Sequence, residues 1–157
     1  MDRATVGEPG SIAQGITDTI AVLASKAKEK SVAVRLEIPA PEHLPMVRIY
    51  GGELNQVWSN LIENALDAVE PNGDVCVRVT ADEHWVTVYV SDNGSGIPAD
   101  ILSRIFDPFF TTKPVGQGTG LGLDISRRIV RRHDGTIDVE SRPGRTEFRV
   151  ALPVVKG

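Results

Sequence analysis

Gly116-Gln117-Gly118-Thr119-Gly120-Leu121-Gly122-Leu123 carries a glycine at every second position, a pattern that suits neither a strand nor a helix. Inside regular structure glycine costs about 0.5–1 kcal/mol relative to alanine, so this density implies backbone that approaches a ligand closely or adopts dihedrals a Cβ forbids. Residues 123–133 then read as a helix, with Leu123, Ile129 and Val130 turned inward and Arg127, Arg128, Arg131 and Arg132 outward. A glycine loop feeding a helix N-terminus presents unpaired N–H groups and the positive end of the helix dipole, which suits phosphate. The stretch is no P-loop, because the chain contains no Gly-Lys-Ser/Thr sequence. A long loop rather than a strand precedes it, unlike the dinucleotide-binding fingerprint.

Composition narrows the partners. A chain of 157 residues is expected to form one domain with a sizeable core. Its 41% hydrophobic and 24% charged residues are those of a soluble globular protein. A net charge of −4 argues against general nucleic-acid or membrane-surface binding, since both want positive surface. Cys76, the single cysteine, cannot form an internal disulfide; it fits a reducing cytosol or a core position. No apolar run reaches membrane-spanning length and no signal peptide opens the chain, so the expected location is cytoplasmic, without membrane contact from this segment.

Residues 1–10 read as a flexible tail and 11–157 as one domain. Ile12, Ile16, Ile20, Leu23 and Ala27 recur at helical spacing, predicting a helix over 11–30. An alternating strand over 32–38 and a short apolar run over 46–50 follow, separated by three prolines. The clearest helix is 53–70, with Leu54, Val57, Trp58, Leu61, Ile62, Ala65, Ala68 and Val69 on its buried face. Hairpins are predicted over 74–91 and 136–152, the second about Pro143-Gly144. Between them lie tight turns over 92–98, a short helix from Pro98 to Ile105 and a long loop from Phe106 to Gly118. This order is not strict βαβ alternation; it predicts an α+β fold, a mixed, mostly antiparallel sheet with helices on one face.

Several polar residues interrupt these patterns. Asn60 and Asn64 lie one turn apart on the polar side of the central helix, with Gln56, Glu63 and Asp67. They form either a solvated face or a pair of hard, neutral amide ligands suited to Mg²⁺ held mainly by phosphates and water. Asp92 ends a strand and is followed by Gly94 and Gly96; it is either an Asx-type turn or an acceptor for the exocyclic amine of a base. Phe106, Phe109 and Phe110 are three of the four phenylalanines, and they precede Thr111-Thr112-Lys113. The rings read as a satellite core under the loop or as part of a site, and Lys113 as a surface lysine or a phosphate-seeking cation. The four arginines of the last helix form a solvated face or a site for an acidic partner. His133 falls on the inner side as a packed histidine, while His43 and His84 lie in loops.

Taken in order, these stretches resemble the catalytic ATP-binding domain of bacterial two-component sensor histidine kinases. That domain sits within the superfamily that includes gyrase-type, Hsp90-type and MutL-type ATPases. The resemblance runs from about Ser11 to Leu152. Residues 60–68, Asn-Leu-Ile-Glu-Asn-Ala-Leu-Asp-Ala, look like the N box; 92–98 look like the G1 box, 106–113 the F box and 116–123 the G2 box. Thr146 with Phe148 is similar to the terminal Thr-x-Phe element. The resemblance implies a left-handed βαβ, Bergerat-type two-layer sandwich that binds ATP and Mg²⁺. It implies that Asn64 ligates the metal with Asn60 close to the phosphates and Asp67 on the same side. Asp92 would read the adenine amine with support from Thr146, and Gly94, Gly96 and Ile97 would shape the pocket. Phe106, Thr111, Thr112, Lys113, Gly116, Gly118, Thr119, Gly120, Leu121 and Gly122 would close over the nucleotide, with 107–118 as an ATP lid.

The chain departs from that pattern twice. A Lys or Arg commonly stands three residues after the metal-binding asparagine, where this chain has Asp67, so the phosphate-facing cation is expected to be Lys113. Arg145 stands where a glycine commonly precedes the threonine. The superfamily's ATPases carry a glutamate as general base one turn before the metal-binding asparagine; Asn60 cannot take a proton, which argues against efficient hydrolysis. The expected activity is donation of the ATP γ-phosphate to a histidine on a dimerisation domain upstream or on a partner, with a response regulator downstream. An anti-sigma-type serine kinase or a non-catalytic ATP-sensing module is the alternative.

Overall fold

A computed structural model describes residues 7–38, 43–110 and 122–155. Along them run β1 (Glu8–Gly10), α1 (Ile12–Val22), α2 (Ala24–Glu29), β2 (Ala33–Glu37), β3 (Val47–Ile49) and α3 (Glu53–Ala68). Then follow β4 (Asp74–Ala81), β5 (Trp85–Asp92), α4 (Ala99–Leu102), α5 (Gly122–Arg132), β6 (Thr136–Arg142) and β7 (Arg145–Pro153). Five strands form one sheet in the order β2-β4-β5-β7-β6, parallel between β2 and β4 and antiparallel elsewhere.

Strict alternation in β5 and β7 gives the sheet two unlike faces. On the inner face Val77, Val90, Phe148 and Val139 stand opposite one another across four strands, as do Val79, Val88, Val150 and Ile137. These ranks meet Leu54, Val57, Trp58, Leu61, Ile62 and Leu66 of α3, all at most 2% exposed, in one core. Burying each such side chain contributes about 1.5–3 kcal/mol relative to exposure. On the outer face, Arg78 lies over the Tyr89 ring at 4.0 Å and Arg149 bonds Glu140. The antiparallel-dominated sheet with helices on the other face is the expected α+β sandwich.

Local chemistry sets the boundaries. The Ser11 hydroxyl caps α1 by accepting from the Gln14 N–H. The single helix expected over 11–30 is instead broken at Leu23, whose φ of −90° and ψ of 3° leave the helical region. The Thr17 and Thr19 hydroxyls bond back to the Ala13 and Gly15 carbonyls, a pattern that weakens a helix, yet Leu23 and Ala27 both stay in the core. α3 ends where Val69 turns extended ahead of Pro71, and Asn72 takes a φ of 67° in the turn that follows. Residues 7–10 are not the loose segment expected there: Glu8–Gly10 pairs with β3 and the Arg48 guanidinium donates to the Gly7 carbonyl. α4 is shorter than the expected 98–105: Pro98 is its cap, and successive turns carry the chain from Ile101 to Phe110. Pro143 and Gly144, with φ of 86° at Gly144, close the last hairpin as expected.

Candidate nucleotide site

The apolar ranks of the inner face end in a polar one. Across β4, β5, β7 and β6 the last rank reads Val75, Asp92, Thr146 and Ser141. Asp92 is 7% exposed and Thr146 4%. Asp92 accepts the Gly94 N–H at 2.9 Å through one carboxylate oxygen. Burial pushes its pKa up, opposed by that hydrogen bond and by the charge of Arg145. The Ser141 hydroxyl lies 2.7 Å from the Thr146 hydroxyl and accepts the Ile97 N–H at 2.6 Å.

Two glycines hold the loop after Asp92 in place. A Cβ on Gly94 would sit 2.5 Å from the Ala68 carbonyl oxygen, so only glycine lets this loop lie on the end of α3. Gly96 has a φ of 89°, and a Cβ there would collide with the Arg142 carbonyl. The cradle joins α3, the loop and the β6–β7 hairpin at one edge.

On α3, the Asn60 amide nitrogen donates to the Gly122 carbonyl at 3.0 Å and lies 3.1 Å from the Ser126 hydroxyl. A carbonyl only accepts, so the amide orientation is fixed, with the nitrogen engaged on α5 and the oxygen an acceptor beside it. Asn64, one turn on, is half-buried. Asp67, expected among the ATP contacts, is ion-paired with Lys26 of α2 at 2.8 Å; Lys26 also reaches Glu63 at 3.7 Å. Against burial, which lowers it, these carboxylates raise the Lys26 pKa.

Of the F-box rings, Phe106 meets Phe148 edge-on at 6.3 Å and packs with Phe110 against the core. Phe109 differs: it is 73% exposed with a φ of 66°. Three of the four outer arginines of α5 are engaged within the protein. Arg127 lies over Phe106 at 5.5 Å, Arg128 pairs with the buried Asp124 at 2.9 Å, and Arg132 pairs with Glu53 at 3.2 Å. His133 is buried as expected; its Nδ1 faces the Ile129 carbonyl and its Nε2 accepts the Tyr50 N–H, which fixes the tautomer. Arg145 is paired with Glu147, and the turn beside it is regular.

Thr111, Thr112, Lys113, Gly116, Gly118, Thr119, Gly120 and Leu121 lie outside the described residues. Sequence reading missed Ser126 and Ser141. For Ser141 the signal was the alternation Ile137, Val139, Ser141, which places the serine inward and opposite Thr146. Among the described residues no cluster of three or more His, Cys, Asp or Glu could hold a metal, and no helix is long and apolar enough to cross a membrane.

The profile of the family described as histidine kinase-, DNA gyrase B-, and HSP90-like ATPase matches residues 51–156. The chain is 45% identical over 102 residues to Sporulation kinase A of Bacillus subtilis, a match that covers 64% of this chain and 16% of that protein. It is also similar to a nucleotide-free catalytic domain of histidine kinase ThkA. That match has a TM-score of 0.84 and 30% identity over 94% of this chain and 95% of that one. Full-length ShkA in complex with AMPPNP aligns with a TM-score of 0.83 and 27% identity, over 96% of this chain and 32% of its own. The glycine cradle, the asparagine stripe and the polar rank thus occur on a fold and within a profile that agree: this chain belongs to the histidine kinase-, DNA gyrase B- and HSP90-like ATPase family.

Proposed function

We propose that this chain is the ATP·Mg-binding catalytic domain of a sensor histidine kinase, located in the cytoplasm. It would donate the γ-phosphate to a histidine on a phosphoacceptor domain outside this sequence, with a response regulator as the next acceptor. The observation that carries the reading is Asp92: a carboxylate 7% exposed at a sheet end, with the Thr146 hydroxyl opposite it and glycine backbone beside it. A buried acceptor next to a hydroxyl fits the amine-bearing edge of adenine.

The donor set fits Mg²⁺ as well. With its nitrogen engaged on α5, Asn60 has an amide oxygen to offer, and an acceptor oxygen suits a metal or its water better than a phosphate. Asn64 would be the direct ligand and Asn60 a ligand or water acceptor; bound Mg²⁺ would neutralise charge developing on the transferred group. Lys113 is the proposed lid cation, and the glycines of 116–122 the phosphate-facing backbone. Asp67 enters this reading only through its pair with Lys26. An amide at Asn60 rather than a carboxylate leaves no base there for water, which favours transfer over hydrolysis. Titration calorimetry with ATP and Mg²⁺ tests the assignment: Asp92→Ala should abolish measurable binding, and unchanged affinity would sink it.

A further inference from the structure

The polar rank that closes the inner face contains one residue without a role in the reading above, and its hydrogen bonds are among the shortest in the molecule. We infer that Ser141 is a positioning residue for base recognition. Its hydroxyl relays a hydrogen bond from the Ile97 N–H to the Thr146 hydroxyl and so fixes which way the Thr146 proton points. The inference rests on the ATP reading of the site.

Counting protons gives the direction. The Ser141 oxygen accepts from the Ile97 N–H at 2.6 Å, and its second polar neighbour is the Thr146 oxygen at 2.7 Å. A serine hydroxyl has one proton to give. If Thr146 donated to Ser141, the serine proton would turn away from its one protein acceptor in a part-buried position, where an unmade hydrogen bond still costs stability. Donation from Ser141 to Thr146 removes that cost. The Thr146 proton is then free of Ser141, on the rank where Asp92 stands directly opposite in register. Chains of hydrogen bonds polarise one another, so the backbone N–H of Ile97 strengthens the donor that Thr146 presents.

The consequence is a pocket of defined polarity: an acceptor at Asp92 beside a donor at Thr146. Adenine presents an amine donor beside a ring-nitrogen acceptor and matches it; hypoxanthine presents a carbonyl beside an N–H and is reversed. Ser141 therefore acts on the choice of base and not on phosphate affinity. It also fastens the loop at Ile97, next to Gly96 with its φ of 89°.

Calorimetric affinities for ATP and for inosine triphosphate, both with Mg²⁺, test this on wild type, Ser141→Ala, Ser141→Cys and Ser141→Thr. Ser141→Ala should weaken ATP binding about 5- to 20-fold, the range for one lost hydrogen bond in a closed site, and leave inosine triphosphate within about twofold. Ser141→Thr, which keeps the hydroxyl, should restore ATP affinity. Ser141→Cys fills the same space with a weak donor; it should follow the alanine variant and replaces it should that variant fail to fold. Adding Thr146→Val to Ser141→Ala should cost little more, because both act on one proton. Equal losses for the two nucleotides, or ATP binding as in wild type, would overturn the relay. A wild type that binds neither nucleotide would overturn the ATP reading itself, which separates the two failures.

Discussion

At Asp92 a charge is held where water would normally solvate it, and the chain gives it one backbone N–H in return. The folded pKa is raised chiefly by burial, so the ionised form costs stability. For a carboxylate raised in this way, that cost appears as pH climbs through the interval from the unfolded to the folded value and is constant above it. Asp92→Asn keeps an oxygen for the Gly94 N–H and removes the charge. Its melting temperature should therefore exceed that of wild type at pH 7, and the gap should close below the ordinary carboxylate range. ATP affinity should fall at least tenfold in the same variant, because an amide N–H would face the adenine amine; a variant that melts lower and binds as before would remove Asp92 from the site. Glycines can be separated by the same logic. Gly94→Ala forces a Cβ onto the Ala68 carbonyl and should destabilise by about 1–3 kcal/mol. At Gly122 the nearest atom to an added Cβ is Asn60 Cγ at 3.7 Å, so Gly122→Ala should leave thermal stability unchanged or raise it. Thermal melts of the two variants distinguish these outcomes. Asp92 and the glycines were legible in sequence as candidates because they stand at a strand end and in turns, and Asn60 because it lies one turn from Asn64 on a polar face. Ser141 was legible only as an inward residue of β6, since its partner Ile97 comes from a loop some forty residues away.

The element that joins the parts is α3, which packs on α1, α5 and the inner face of the sheet. Trp58 is 1% exposed at its centre, and Trp58→Ala should cost about 3–5 kcal/mol in chemical denaturation. Asn60 is the polar counterpart. Its nitrogen holds the first turn of α5, where Ser126 is fully buried, so Asn60→Ala should cost about 1–3 kcal/mol by leaving those acceptors unpaired. Lys26 offers the contrast: its ion pairs with Glu63 and Asp67 are part-exposed, and Lys26→Met should change stability by less than about 1 kcal/mol. A loss near that of Trp58→Ala would mean that the α2–α3 ion cluster is structural. Periodicity revealed α3, β5 and β7 because their buried faces are regular. The break at Leu23 was hidden because the apolar stripe runs through it unaltered: Ile16 before it, Leu23 itself and Ala27 after it are all core residues. The pairing of β1 with β3 was equally out of reach, since Glu8-Pro9-Gly10 carries no strand signal and gains its structure from a partner some forty residues on.

For the molecule as a whole, the proposed nucleotide pocket lies at the polar end of the sheet's inner face, and its chemistry depends on where a phosphoryl group would go. The chain spans 16% of the length of Sporulation kinase A, so the reaction of such a protein engages much more polypeptide than is present here. Its own histidines do not suit the acceptor role. His133 is 3% exposed, with both ring nitrogens engaged by Ile129 and Tyr50. His84 is exposed beside Glu83 on a hairpin turn, and His43 is exposed in the segment before β3; neither lies on an α-helix. In-line transfer requires the attacking nitrogen to approach opposite the leaving oxygen, so the acceptor has to be free to dock from outside. With γ-labelled ATP and Mg²⁺ this polypeptide alone should therefore acquire no acid-labile label. Addition of a helical hairpin bearing the acceptor histidine of its cognate kinase should produce label on the hairpin. The label should disappear in Asp92→Ala and in a hairpin with that histidine changed to glutamine. Stoichiometric phosphohistidine on this chain alone, lost on changing His43 or His84 to glutamine, would overturn the division of labour between the pocket and a separate acceptor.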